Sequence, residues 1–397
     1  MTDEFLPSQF FDIEPTTVDT LREKFRLHME MLKKQDVYEH TLYKKWKEVQ
    51  DYRRFINRSE VVKAKIWTPS DINDVDLTRS EILAIKPRIR YINPEEERQL
   101  LDEWLMLRVF VSSMRFDQNP GRILKFLIYD DTSGNYLGLA SISSDVIAMS
   151  ARDKWIGWNN EHKLDKGRLK NSAIGTCIVP MQPLGYNMLG GKLIASLLAT
   201  KPVREAWLNV TGEPLVGLTT TSLYGASSMY NGIPYWKTLG ETKGKIYLKP
   251  DDDIYKEWHH WIKDNHFDDY IKATVKEGIV GPVTGIKQKI IDLIFKYSGI
   301  KASRYAHGFN RGVFYAPFYT NTKEFLRAEI EFEDLQMKER VTKDVDGVVE
   351  WWTKKAVKRY EKLHADGRLK PELLYYNQMI GISWDEAKEH YLGDIGR

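Results

Sequence analysis

The sequence predicts an α+β protein: a mixed β-sheet with packed helices, flanked by helical N- and C-terminal regions. Three observations carry this expectation. Between Leu124 and Leu248, short apolar runs of strand length alternate with turn-rich loops and one glycine-bearing helical stretch. On both sides, apolar residues recur at helical spacing among lysines, arginines and acids. The composition, 42% hydrophobic and 29% charged over 397 residues, is that of an ordinary soluble globular chain. That length exceeds one small core, so the expected division is 1–115 helical, 116–250 an α/β core and 251–397 helical.

The elements follow in order. Val18, Leu21 and Phe25, then Leu42, Trp46, Val49 and Phe55, predict two helices between Thr17 and Phe55. Asp71 to Pro87 is expected as an irregular connection. Asn93-Pro94-Glu95-Glu96 predicts a capped helix start, with the helix running to about Val111. Leu124–Tyr129 and Tyr136–Ile142, joined by Asp130-Asp-Thr-Ser-Gly-Asn135, predict a hairpin. Ala173–Val179 predicts a third strand, ended by Pro180 and Pro183. A helix is expected from Tyr186 through Leu198, a strand at Leu215–Thr221, a short helix within Ser227–Leu239 and a last strand at Lys245–Leu248. Beyond these, Lys276–Gly299 predicts a helix and Asn310–Tyr319 a strand, and the chain from Phe325 reads as mostly helical.

Composition narrows the function classes. Net charge is only +3, so the whole chain is not a strongly basic nucleic-acid binder, although a local basic face is compatible with it. The one cysteine, Cys177, lies in an apolar run and reads as a buried small hydrophobe; no disulfide within the chain or cysteine-based zinc site follows. The acidic N-terminus lacks the pattern of a secretory leader, and no run reaches the ~20 apolar residues of a membrane span. The expected location is cytoplasmic, with no membrane partner.

Five constellations are candidates for chemistry. Gln182 to Lys192 leads from a buried strand into a helix; backbone N–H groups at Tyr186, Asn187, Gly190 and Gly191, with the Lys192 ammonium, suit a phosphate-bearing cofactor. The same glycines also suit close packing of helix on sheet. Arg152 and Asp153 beside Trp155 and Trp158 read either as a pocket stacking a planar base or as a salt-bridged turn with packed indoles. Thr220, Ser227 and Ser228 place hydroxyls where a phosphate or carbonyl is held, with Tyr230 or Tyr235 as an acid. His260, Asp264 and His266 offer metal-ligand types in a strongly aromatic setting, and no metal is assigned. Lys354, Lys355, Lys358 and Arg359 lie on a basic amphipathic helix suited to phosphate contacts. After it, Glu372–Ile380 and Ser383–Glu386 suggest helix–turn–helix, although Asp385, Glu386 and Glu389 are acidic for a groove-reading helix.

The element order, with Ser228-Met-Tyr230-Asn-Gly-Ile-Pro-Tyr235-Trp-Lys-Thr-Leu239-Gly240 at its end, resembles the GCN5-related N-acyltransferases. That resemblance implies an acyltransferase-like core, a coenzyme A pyrophosphate on the glycine-bearing turn and Tyr230 protonating the leaving thiolate. The usual Arg/Gln-x-x-Gly-x-Gly/Ala motif is absent. Several blocks together resemble the DruA family of the Druantia anti-phage defence system: Ala151-Arg-Asp-Lys-Trp-Ile-Gly-Trp158, Tyr186-Asn-Met-Leu-Gly-Gly-Lys-Leu193, Leu218–Asn231 and Gly308-Phe-Asn-Arg-Gly-Val313. They imply a role in phage–host conflict at DNA. Phage Mom proteins, which modify adenine in DNA, also have an acyltransferase-like fold, and by analogy base modification is the sharpest expectation.

The combined expectation is a nucleic-acid-directed group transferase. Its donor would be a coenzyme A thioester or an aminoacyl-tRNA, with DNA favoured as acceptor, Tyr230 as acid and Asp153 taking the amine proton. The alternatives are a non-catalytic DNA-recognition subunit of a defence or counter-defence complex, and a structural phage protein.

Overall fold

A computed structural model describes residues 17–52, 55–115, 121–222, 229–242, 248–275, 285–306, 311–342, 344–372 and 375–392, apart from the side chains at 56, 340 and 342. The first helices are α1 (Val18–Lys33), α2 (Val37–Asp51), α3 (Ile56–Lys63), α4 (Val75–Ala84), α5 (Arg98–Val111) and α6 (Ser150–Ile156). Then come α7 (Leu184–Asn187), α8 (Gly190–Leu197), α9 (Lys201–Thr211), α10 (Asp252–Asn265), α11 (Phe267–Thr274) and α12 (Ile286–Ser298). The last are α13 (Thr322–Leu326), α14 (Glu339–Thr342), α15 (Asp344–Ala365) and α16 (Trp384–Tyr391). Strands are β1 (Pro87–Tyr91), β2 (Ile123–Asp130), β3 (Tyr136–Ser144), β4 (Ser172–Pro180), β5 (Gly217–Ser222), β6 (Lys237–Glu241) and β7 (Gly312–Pro317). The mixed α+β class is as the sequence predicts.

The chain forms two compact units, one from 1–36 with 245–308, the other from 37–244 with 309–397. In the smaller unit, Leu21, Phe25, Met29 and Leu32 line one face of α1 at helical spacing, and Thr17 caps its start. Phe25 meets Trp258 of α10 and Phe295 of α12 edge-on, with centroids 6.1 and 5.3 Å away. The histidine-rich stretch serves the same packing. His266 stacks on Tyr297 at 3.8 Å, and His259 contacts Tyr255 and Tyr270. Among the described residues no group of three or more His, Cys, Asp or Glu is arranged to hold a metal.

The larger unit is built on a seven-stranded sheet of order β1-β2-β3-β4-β5-β7-β6. Every neighbouring pair is antiparallel except β4 and β5, which run parallel with Ser172–Gly175 opposite Gly217–Thr220. A parallel pair needs a long crossover, here α7, α8 and α9. Successive strand residues serve opposite cores: Phe126 and Ile128 join the cluster under α8 and α15, whereas Leu127 joins that under α2 and α5. The sheet lies close to α8 at Gly138, where a Cβ would stand 2.5 Å from Ile194 Cδ1 and 2.8 Å from the Val179 carbonyl oxygen. Gly138→Ala is therefore expected to cost about 1–3 kcal/mol in urea denaturation.

A buried ionic cluster sits beneath the second core. Glu48 accepts from both Lys45 and Arg108, and Lys45 also donates to the Val109 carbonyl. Burial, opposed by Glu48, pulls the Lys45 pKa down to about 8, while burial pushes the nearby Cys177 thiol up to about 12. From pH 8 toward the ordinary lysine value the unfolded chain binds the extra proton, so Lys45 makes stability rise with pH. Cys177 acts oppositely once the unfolded thiol ionises near pH 9.0. Denaturation of the wild type is expected to show stability rising from pH 8 to about 9 and then levelling. Cys177→Ala should extend the rise toward pH 10, and Lys45→Met should reduce it, leaving the part that Lys338 contributes.

Several elements depart from the sequence expectations. The segment 71–87 is not irregular: Asp74 caps α4 by accepting the Leu77 N–H at 3.0 Å, and β1 opens at Pro87. Helix α5 begins at Arg98 rather than on Asn93-Pro94, because Glu97 folds back to accept the Asn93 N–H at 2.9 Å. The helix expected from Tyr186 to Leu198 is broken at Leu189, which has φ 56°. Trp352 holds the break by donating its indole N–H to the carbonyls of Met188 and Leu189. Helix α9 was not anticipated. The short helix expected within Ser227–Leu239 is, from 229 to 236, a series of turns leading into β6; Ser227 and Ser228 lie outside the described residues.

Of the last expected core strand, 245–247 lie outside the described residues and Leu248 is not in a strand. The expected helix over Lys276–Gly299 is described from α12 onward, and 276–284 lie outside the described residues. Near the C-terminus, Tyr376–Met379 form a single 3₁₀ turn instead of the first helix of a helix–turn–helix. The Ser383–Glu386 capping box on α16 is present as predicted, and Trp384 packs on Tyr43 and Trp46 of α2. Among the described residues no helix is long and apolar enough to cross a membrane.

Candidate nucleic-acid interface

Helix α15 divides cleanly into two stripes. Val348, Trp352, Ala356, Tyr360 and Leu363 recur every three or four residues and are buried against α4, α7 and α8. Tyr360 anchors this face by donating to the Ile72 carbonyl at 2.7 Å. A neighbouring stripe carries Trp351, Lys355, Lys358, Arg359 and Lys362 at the same period. Lys354 is paired with Glu350 at 2.9 Å. Lys355, Lys358, Arg359 and Lys362 have no carboxylate within ion-pair distance among the described residues. Lys355 stands 5.7 Å from the Trp351 ring centroid.

Beside this stripe lies a groove of about 830 Å³, lined by the turn Gly232–Tyr235 and by Gly347, Glu350, Trp351, Lys354 and Lys355. Lys192, at the start of α8, donates to the Asn231 carbonyl next to it. Burial first, and then repulsion from Lys355, lowers the Lys192 pKa, which brings these two ammoniums into one electrostatic neighbourhood. At the other end, Arg359 and Lys370 sit 5.4 and 5.0 Å from the centre of the Tyr186 ring. The Arg359 Nε is buried with no hydrogen-bond partner among the described residues. Asn187 fixes this end: its side chain donates to the Pro183 and Lys370 carbonyls and accepts the Lys370 N–H.

The fold therefore gathers Tyr186, Lys192, Tyr235, Lys354, Lys355, Lys358 and Arg359 along one side of α15. These were expected from three separate segments. Trp351 and Lys370 belong to the same surface and were missed. Trp351 adjoins Trp352, and helical phasing puts one indole on the apolar stripe and the other on the basic one; that was the available signal. Lys370 follows α15 with no pattern of its own.

The other candidates lie elsewhere. Gly190 and Gly191 are buried: a Cβ on the first would stand 3.0 Å from Gly185 Cα, and one on the second 2.7 Å from Met229 Sδ. Thr220 is buried and donates to the Gly175 carbonyl at 3.0 Å. Tyr230 packs against Trp236 and Phe314 at 5.2 and 5.1 Å, and burial raises its pKa.

Arg152 is fully buried in an ionic network reaching across the sheet. It binds Asp145 at 2.5 Å, Asp153 at 2.7 Å and the Val146 carbonyl at 2.8 Å. Asp145 also accepts from Ser172 at 2.6 Å and Thr219 at 2.8 Å, while Lys163 binds Asp153 at 2.9 Å. Trp158 donates to the Leu326 carbonyl and is buried beneath the guanidinium, whereas Trp155 is half-buried. Asp145, Ser172, Thr219 and Lys163 were missed as members of this network, since they come from four separate stretches of chain.

Residues 32–328 match the family described as Druantia protein DruA. A curated protein of that name from Escherichia coli (strain UMEA 4076-1) is 27% identical over 258 residues, which are 59% of this chain and 62% of the relative. The chain thus aligns with less than two thirds of that relative's length. No solved structure matches.

Proposed function

The chain belongs to the DruA family, and from that premise we propose that it serves anti-phage defence by gripping a nucleic-acid backbone along α15. One observation carries this reading: Lys355, Lys358, Arg359, Lys362 and Lys370 form a cationic surface with no carboxylate at ion-pair distance among the described residues, interleaved with Trp351 and Tyr186. Lysine and arginine take phosphates through counterion release, and half-buried aromatic rings stack unpaired bases. DNA is the favoured partner, and the chain acts within a protein complex. Filter binding of duplex and single-stranded DNA at two salt concentrations tests the proposal. Affinity that falls steeply with salt supports it, and the absence of salt-sensitive affinity for any nucleic acid rejects it.

A second reading is favoured by one feature: Tyr235 lines the groove together with Lys355, and Lys192 adjoins Lys355 and the Asn231 carbonyl next to it. In it, Lys192 and Lys355 hold the phosphates of a coenzyme A thioester or the backbone of an aminoacyl-tRNA, and a base amine attacks the donor carbonyl. The C–N bond forms as the C–S or C–O bond breaks; the Tyr235 hydroxyl protonates the leaving group, and the phenolate so formed takes the proton that the acylated amine sheds. The parallel β4–β5 pair, closed by a crossover containing α8, is compatible with an acyltransferase-like core. Tyr230, enclosed by Trp236 and Phe314, is less accessible for that proton transfer than Tyr235. Mass analysis of nucleosides from phage DNA, replicated in cells expressing the wild type or Tyr235→Phe, tests this. A mass-shifted nucleoside that disappears in the variant supports transfer; unmodified DNA in both removes it.

A further inference from the structure

We propose that Trp155, Lys237, Lys323 and Lys338 form a second anion site, built for a phosphate group carrying two or more negative charges. Helix α6 packs against β6 and β7, and brings the Trp155 ring to 5.3 Å from Tyr315. Tyr315 stands opposite Lys237 in the antiparallel register, so the two side chains share one face of the sheet. The Lys237 and Lys323 ammoniums lie 5.8 and 4.3 Å from the centre of the Trp155 ring. Lys338 is seated beside the end of β7, where its backbone N–H donates to the Phe318 carbonyl at 3.0 Å and Met337 pairs with Tyr319; burial, and then repulsion from Lys237, pulls its ammonium pKa down to about 8. None of the three lysines has a carboxylate within ion-pair distance among the described residues.

Lysines on an ordinary solvated face spread apart or pair with acids. Here Lys237 and Lys323 converge on one half-buried indole, with cation–π contact as their visible compensation, and Lys338 stands near enough to repel Lys237. Their mutual repulsion is relieved by an anion of matching charge. A backbone phosphodiester brings one charge, whereas a phosphomonoester brings about 1.5 to 2 and a polyphosphate more. The convergence of three ammoniums therefore favours a terminal or polyphosphate group, as carried by a free nucleotide or by the 5′ end of a strand.

This site is separate from the α15 surface. Consecutive residues of β7 point to opposite faces, and Phe314 meets Tyr230 while Tyr315 meets Trp155. The proposal consequently stands on its own observations and does not require the backbone-binding surface.

The test uses the full chain and three probes: ATP, a 5′-phosphorylated oligonucleotide and the same oligonucleotide with a 5′-hydroxyl. Binding is measured for the wild type, a Lys323→Ala/Lys338→Met variant, the exposed single variant Lys237→Ala, and a Lys355→Ala/Arg359→Ala variant. The expected result is that the wild type binds ATP, or prefers the phosphorylated oligonucleotide, by at least about tenfold over the variants of the Trp155 site. The Lys355→Ala/Arg359→Ala variant should keep that ATP affinity or 5′-phosphate preference. ATP binding identifies a nucleotide ligand and a 5′-phosphate preference alone identifies a strand end; either supports the site. The proposal is overturned if neither ATP binding nor a 5′-phosphate preference is seen, or if Lys237→Ala, with an unchanged melting temperature, leaves both intact. Weak binding of the hydroxylated oligonucleotide alone would instead count against the α15 surface.

Discussion

Replacing Arg152 with methionine is expected to destabilise the larger unit by about 3–5 kcal/mol and to lower its melting temperature by roughly 10 °C. The guanidinium is buried between Asp145 and Asp153, and Asp145 also takes hydrogen bonds from Ser172 on β4 and Thr219 on β5. Removing it leaves a fully buried carboxylate with two hydroxyl donors and no countercharge, which is the costly way to break such a network. The same variant separates the two readings of the Arg152–Trp158 block. A base-reading arginine would lose nucleic-acid affinity while the fold kept its stability. A structural one loses stability first, and a denaturation midpoint within 1 °C of wild type would refute the structural role.

The second large effect concerns α15. Lys355→Ala with Arg359→Ala should lower affinity for DNA by about tenfold or more at low salt, and should reduce the slope of log affinity against log salt by about two. Both side chains are at least partly exposed and outside the buried stripe of α15, so stability should change little. An unchanged slope would remove these two residues from the interface. Paired measurements on one preparation make the two variants informative together: Arg152→Met reports on the fold, and the α15 variant on binding.

How far the sequence reveals this molecule depends on whether the deciding interactions are local. Strands β2 to β5 and β7 were legible because each combines an apolar run with nearby turn residues, and the hairpin loop carries its own Asp130-to-Asn135 signal. Helix α4 was hidden because its start depends on one cap, Asp74, and only Thr78 and Ile82 are buried on it. The break at Leu189 was illegible for a different reason. The indole that holds it belongs to Trp352, far along the chain. Strand β6 was likewise hidden: most of its residues are exposed, and it exists as a strand through pairing with β7, from a distant segment.

The candidate sites divide in the same way. The basic stripe of α15 follows from helical phasing alone, so Lys354, Lys355, Lys358 and Arg359 could be named from the sequence. That Lys192, Tyr186 and Lys370 would adjoin it required the fold. Arg152 and Asp153 looked equally suited to a ligand or to a turn, because Arg152 is saturated by Asp145 and Val146 just past β3, and Asp145 is in turn held by Ser172 on β4 and Thr219 on β5. The glycine-bearing turn is present, but Met229 and Trp352 close over it, and its cationic neighbour Lys192 donates to the Asn231 carbonyl, next to the turn that lines the groove.

A salt titration of wild-type binding to duplex DNA tests most directly the proposal that α15 presents to a nucleic-acid backbone a cationic surface with no carboxylate at ion-pair distance among the described residues. Five cations, Lys355, Lys358, Arg359, Lys362 and Lys370, predict a slope of log affinity against log salt of roughly −4 to −5. A slope near zero, or no measurable affinity at low salt, would contradict the account.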